Sequence, residues 1–337
     1  MNTLFIHCGL HKTGSTSLQF FCNRFRQQLK GEKLYYPLYI DRAGNKHQSH
    51  LQFIKDILAA IKPGNGGDNS ANLTQLPALE LVEQLRQHLK QTDDDVLISS
   101  ENISSLNKES FGNLCDYISS IFNESKIVFI FSLRQQVSLA ESLYRNGFRA
   151  MKKRQEPVEQ FLFGKIEYLD YERRIMQHKE IGNSFNNVSF IYLPYPSLGK
   201  NGVIPDFFRS IGLSTLSEIN KKASANVSKN PSLDTIDCIA KDMLSLLTND
   251  ESIFHLFNRF AFASPIKTNY SFVQKAARME PFASIFNYDY ASHIGPDFTL
   301  ETNAINKYGD KAIDSDAYPL GAERLKAFLG GESLNHL

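Results

Sequence analysis

The sequence predicts an α/β protein: a parallel sheet flanked by helices, with a mostly helical cap toward the C-terminal end. Three observations carry that expectation. Short apolar runs read as strands, helical periodicities lie between them, and the strand signal fades beyond about Asn220. Strands alternating with helices are the pattern of a parallel sheet.

The runs are taken in chain order. Leu4 to Cys8 is the first strand, Leu34 to Tyr36 the second, Val96 to Ser99 the third, Lys126 to Ser132 the fourth and Val188 to Leu193 the fifth. Ile127 to Phe131 is apolar at every position rather than alternating, as expected of a strand covered on both faces. Between Ser15 and Leu29, the residues Leu18, Phe21, Cys22, Phe25 and Leu29 recur at three- and four-residue steps, which predicts one helix. Asn107 is a suitable N-cap for a helix through Ile121. Val137, Ala140, Leu143, Tyr144 and Phe148 repeat the helical spacing after the fourth strand. Pro63 to Asn72 is rich in turn formers and reads as a loop. A single domain over 1–337 is expected, with an α/β core over 1–219 and a helical or irregular cap over 220–337.

Composition narrows the classes. The 337 residues suffice for a well-filled core. With 37 Lys and Arg against 36 Asp and Glu, no global field is available to gather nucleic acid or an anionic membrane. Met1 to Ile6 lacks a basic n-region, its apolar run is too short for a secretory signal peptide, and no stretch has the length of a bilayer-spanning helix. The four cysteines, Cys8, Cys22, Cys115 and Cys238, form no CxxC pair, so reduced thiols and a cytoplasmic location are expected.

The most informative segment joins the first strand to the first helix: His7-Cys8-Gly9-Leu10-His11-Lys12-Thr13-Gly14-Ser15-Thr16-Ser17. Backbone N–H groups and the helix dipole converge on an anion at such a junction. Gly9 and Gly14 permit a tight turn, while Ser15, Thr16 and Ser17 add hydroxyl donors. A triphosphate-binding loop reads G-x-x-x-x-G-K-[ST]. Here the glycine spacing is kept, but Ser15 occupies the lysine position and the lysine stands two residues before the second glycine, at Lys12. A sulfuryl group has one fewer ionisable oxygen than a terminal phosphoryl group. One lysine with backbone donors then suffices to offset charge on a leaving 5′-phosphate without a metal. HxGxxKTGSTSLQ resembles the 5′-phosphosulfate-binding loop of 3′-phosphoadenosine 5′-phosphosulfate (PAPS)-dependent sulfotransferases, particularly the bacterial branch. The resemblance implies a P-loop NTPase-like sulfotransferase fold and PAPS as sulfuryl donor. It places Gly9, His11, Lys12, Thr13, Gly14, Ser15, Thr16 and Ser17 around that donor, with Lys12 on the bridging oxygen.

The same family carries an arginine and a serine eight positions apart to grip the 3′-phosphate. Arg134 and Ser142 have that spacing after the fourth strand. Arg134 leaves the carboxyl end of a strand, where open α/β sheets bind ligands, and guanidinium with hydroxyl suits a phosphate. Leu169-Asp170-Tyr171, Asn187 to Tyr192, Asp206 to Leu213 and Asn226-Val227-Ser228 resemble later parts of bacterial sulfotransferases. The Arg-Lys-Gly element of the animal cytosolic enzymes is missing, and Lys221, Lys222 and Lys229 are the candidates to replace it.

In-line sulfuryl transfer benefits from a general base. Glu101 follows the third strand on the rim shared by Lys12 and Arg134; its other reading is a carboxylate that binds the loop or caps a turn. His50, after the second strand, titrates near neutrality when unperturbed; its other reading is a solvated loop histidine. His7 and His11 span a strand and a turn, so they do not form a helical metal pair, and no metal is expected. The basic run Arg145, Arg149, Lys152, Lys153 and Arg154 reads either as a guide for an anionic acceptor or as a solvated helix end. The expected acceptor is a glycan, a glycolipid or a small molecule bearing a hydroxyl or amine. Two alternatives remain: a P-loop kinase or nucleotide hydrolase with an atypical loop, and a non-catalytic nucleotide-binding module.

Overall fold

The computed structural model describes residues 1–10, 13–61, 69–150, 156–194, 203–213, 233–248, 250–265, 268, 270–286, 294, 311–313 and 316–331. The chain divides into two compact units. One comprises Met1–Arg134, Arg173–Ser228 and Tyr290–Leu300; the other comprises Gln135–Glu172, Lys229–Asp289 and Glu301–Leu337.

The first unit is built on the five strands read from the sequence: β1 (Thr3–His7), β2 (Leu34–Tyr35), β5 (Asp95–Ser99), β6 (Lys126–Leu133) and β7 (Val188–Pro194). They form one sheet in the order β2-β5-β1-β6-β7, and every pairing is parallel. β1 therefore lies at the centre. Its connection runs toward β2, whereas that of its neighbour β6 runs toward β7, and loops that part in this way open a crevice at the carboxyl ends of the strands. A short antiparallel hairpin of β3 (Tyr39–Ile40) and β4 (Lys46–His47) follows β2.

Strand periodicity assigns the two faces. Phe5, Leu97, Val128 and Ile130 share a core cluster with Leu18, Phe21 and Cys22 of α1 (Ser15–Arg24) and Leu29 of α2 (Arg26–Gly31). Ile204, Phe207 and Phe208 of α9 (Val203–Ser210) complete it. On the other face, Phe129, Phe131, Phe190 and Tyr192 stack with Phe111 of α5 (Lys108–Ile121) and His178 of α8 (Tyr171–Gly182). Asn107 caps α5 through an N–H donated by Ser110 at 2.8 Å, and the helix ends at Ile121 as the sequence predicts.

Some expectations are corrected. The predicted helix from Ser15 to Leu29 is two helices, interrupted at Phe25, whose φ of −109° and ψ of 28° leave the helical region. Asn69 to Asn72, read as loop, open the helix α4 (Asn69–Gln91); Pro63 to Asp68 lie outside the described residues. Leu51–Ala60 forms α3. The basic run is neither a guide nor a solvated end at Arg145, which is buried and paired with Glu141 at 2.8 Å; Lys152, Lys153 and Arg154 lie outside the described residues.

The second unit contains α6 (Gln136–Ala150), α7 (Val158–Leu169), α10 (Thr235–Ser245), α11 (Glu251–Ala263), α12 (Phe282–Phe286) and α13 (Ala317–Gly331), with β8 (Tyr270–Ser271) parallel to β9 (Lys311–Ala312). The chain enters the second unit at Gln135. Arg145 supplies the reason. It donates to the carbonyls of Leu233 and Tyr270, at 3.4 and 3.1 Å, and so anchors α6 among the later elements. Among the described residues, no helix is long and apolar enough to cross a membrane. All four cysteines are free and buried, and burial raises each thiol pKa.

Candidate anion-binding site

β1 ends at His7, and the turn at Cys8 to Leu10 follows at the carboxyl edge of the sheet, where β1 neighbours β6. Gly14 caps α1 with φ of 81°, the left-handed region that L side chains rarely adopt, and a Cβ there would approach Val203 on α9 to 2.8 Å. Gly9 is required for a different reason. A Cβ on it would collide with Ser15 Oγ and come within 2.8 Å of the His7 ring. Thr13 closes the turn, both its N–H and its hydroxyl donating to the Leu10 carbonyl. Its side chain thus holds the loop's shape rather than pointing a donor outward. His11 and Lys12 lie outside the described residues.

The start of α1 has the properties of an anion receptor. Its first turn holds no acidic residue, and Gly14 offers no side-chain cap to its N–H groups. Thr16 is exposed and Ser17 half-buried. Ser15 is 3% exposed, and its Oγ has no hydrogen-bond partner among the described residues. A buried hydroxyl without a partner costs free energy, about 1–3 kcal/mol, so such a group marks a place where another atom is expected.

The turn after β5 borders this loop. Ser100 donates its N–H to the His7 carbonyl at 2.9 Å, and Ser104 Oγ reaches the Gly9 carbonyl at 3.5 Å. Glu101 opens a single 3₁₀ turn, Glu101–Ser105, and is half-buried. Its carboxylate is close enough to favour the charged form of His7, though burial outweighs that and lowers the His7 pKa to about 4. Ser100 Oγ is a second buried hydroxyl with no partner among the described residues. Arg134, directly after β6, is 3% exposed. Ser142 is buried on α6.

The geometry gives His50 a structural task. Its N–H donates to the Ser99 carbonyl at 2.9 Å, while its Nδ1 accepts the Ser99 N–H at 3.1 Å. Nε2 then carries the proton and donates to the Pro37 carbonyl at 3.1 Å. The ring is 1% exposed, and burial lowers its pKa to about 4. With both nitrogens engaged, His50 continues the ladder beside β5 where β2 has ended. It is not a solvated loop residue.

Sequence reasoning also missed a polar cluster beneath the loop. His7 Nδ1 lies 2.9 Å from Ser99 Oγ, which accepts from Gln19 Nε2 at 3.2 Å, and His7 Nε2 lies 3.5 Å from Ser132 Oγ. A signal existed: three central strands each place a polar residue near the carboxyl end of an otherwise apolar run. Among the described residues, no group of three or more His, Cys, Asp or Glu is arranged to hold a metal ion.

No family model matches this chain, and neither curated proteins nor solved structures yield a match.

Proposed function

We propose that the chain is a PAPS-dependent sulfotransferase of P-loop-like fold, acting on a hydroxyl or amine of a carbohydrate, glycolipid or small-molecule acceptor. The observation that carries the reading is Ser15: a buried hydroxyl without a described partner, in the first turn of a helix free of acid, behind a loop turned by Gly9 and Gly14. These groups suit a phosphate oxygen. The displaced lysine in the sequence favours a phosphosulfate over a triphosphate.

The residues then divide the work. The N–H groups of Ser15, Thr16 and Ser17, with the Ser15 hydroxyl, hold the 5′-phosphate. Lys12 offsets charge on the bridging oxygen as the sulfur–oxygen bond to that phosphate breaks. Arg134 binds the 3′-phosphate. Glu101 accepts the acceptor's proton as the new bond to sulfur forms. Its position at the start of the turn after β5, close enough to act on the charge of His7, supports that role over His50, whose ring nitrogens are both engaged.

The test is transfer of labelled sulfuryl from PAPS across a panel of glycans, glycolipids and phenols, with a chelator present. Chelator-resistant, PAPS-dependent product is expected; Mg²⁺-dependent ATP turnover instead would overturn the reading. Within that assay, Glu101→Gln should slow transfer at least a hundredfold with donor affinity kept. His50→Ala should chiefly lower the melting temperature. The reverse ranking would return the base role to His50.

A further inference from the structure

We propose that His7 is a positioning residue for the anion-binding loop: its ring ties the carboxyl ends of β1, β5 and β6 to α1 and forms the floor beneath the Gly9 turn. The proposal rests on the reading of this loop as a phosphosulfate cradle.

Register sets up the arrangement. Phe5 pairs with Leu97 and Val128, and two residues on, His7 pairs with Ser99 and Ile130. The period of two keeps Phe5 and His7, Leu97 and Ser99, and Ile130 and Ser132 on the face that α1 covers. Phe5, Leu97 and Ile130 belong to the apolar core. At the last rung, where the sheet meets the loop, the same face becomes polar. An imidazole 1% exposed at this point adds less apolar burial than phenylalanine, so hydrophobic packing alone does not account for it.

The hydrogen bonds give it a direction. Gln19 Nε2 donates to Ser99 Oγ, which also bonds His7 Nδ1, while His7 Nε2 faces Ser132 Oγ, so the ring links α1 and β5 on one side to β6 on the other. Burial keeps the ring neutral, lowering its pKa to about 4. Gln19 lies on the second turn of α1, so the tie also orients the helix whose N-terminus faces the ligand. From below, Phe207 of α9 meets the ring edge-on at 5.2 Å. Above, the ring's Nε2 would be 2.8 Å from a Cβ on Gly9, so backbone and ring are in contact. Anything that moves the ring moves the turn.

The experiment measures calorimetric affinity of the full chain for two probes, inorganic pyrophosphate and adenosine 3′,5′-bisphosphate, in His7→Phe, His7→Asn and Ser99→Ala, with thermal melts alongside. His7→Phe should melt cooperatively yet bind both probes at least tenfold more weakly. His7→Asn, which keeps a polar group at the Nδ1 position, should recover most of that loss. Ser99→Ala should weaken binding comparably and add nothing to His7→Phe, since both break one tie. Should His7→Phe fail to fold, Ser99→Ala alone decides. Wild-type affinity in His7→Phe or in Ser99→Ala, or losses that add fully, would overturn the proposal. If the wild type binds pyrophosphate but not the bisphosphate, the sulfotransferase reading fails while His7 is judged on pyrophosphate. If it binds neither, both fail.

Discussion

The two units each bury a polar cluster, and the clusters are built on different terms. In the second unit, Glu141 and Arg145 form an ion pair in which the carboxylate also accepts from Ser271 Oγ at 2.8 Å and the Val273 N–H at 3.0 Å. Arg145 donates further to the Leu233 and Tyr270 carbonyls and the Thr235 hydroxyl. Both residues are at most 5% exposed. In the first unit, the cluster below α1 is uncharged, and two hydroxyls nearby, on Ser15 and Ser100, have no partner among the described residues. A saturated network holds a fold together, whereas open valences at a helix N-terminus are what the proposed phosphate site calls for.

Acid should produce the largest difference. His7, His50 and His178, all in the first unit, are kept neutral by burial, with pKa values lowered to about 4, 4 and 3. An unfolded imidazole binds its proton near pH 6.5, so between there and pH 4 the unfolded state holds more protons than the folded one. Their contribution is complete above pH 6.5 and is lost as pH falls, at up to about 1.4 kcal/mol per pH unit for each ring. Unfolding free energies from denaturant titrations should therefore drop by several kcal/mol from pH 7 to pH 4, and a flat profile would contradict the burial of neutral rings.

Next in size is Glu141→Ala, which leaves Arg145 buried and uncompensated and should destabilise by about 3–5 kcal/mol. Replacing both residues by leucine and methionine should restore much of that. If the single variant loses less than about 1 kcal/mol in chemical denaturation, the saturated cluster is not what anchors α6. Lys12→Ala should affect chemistry rather than folding. Turnover is expected to fall by roughly 10²–10³, about 3 kcal/mol or more in the transition state, with the melting temperature retained; near-normal turnover would remove Lys12 from its role. Gly14→Ala should be smallest, about 1–2 kcal/mol of stability from the left-handed backbone, with the clash against Val203 adding to weakened anion binding. An unchanged melt and unchanged affinity would show that the cap geometry is unimportant.

The strands were legible because a short apolar run bounded by turn residues is a local signal; all five occur where the sequence puts them. The Asn107 cap was legible for the same reason. The break at Phe25 was not, since no glycine or proline marks it. The roles of His7, His50 and Arg145 depend on which residue stands opposite in a neighbouring strand or later helix. His50 looked like a loop histidine until Ser99 was seen to offer it both a carbonyl and an N–H. The hydroxyls of Thr13 and Ser15, close in the same loop, have opposite fates that composition does not separate: one is bonded to Leu10, the other has no described partner.

Calorimetric titration of adenosine 3′,5′-bisphosphate into the full chain, with a chelator present, tests the claim that this loop receives a nucleotide carrying phosphates at both ends of its ribose. Saturable binding that weakens in Arg134→Ala is the predicted result. No heat from the bisphosphate, together with clear binding of Mg-ATP, would contradict it.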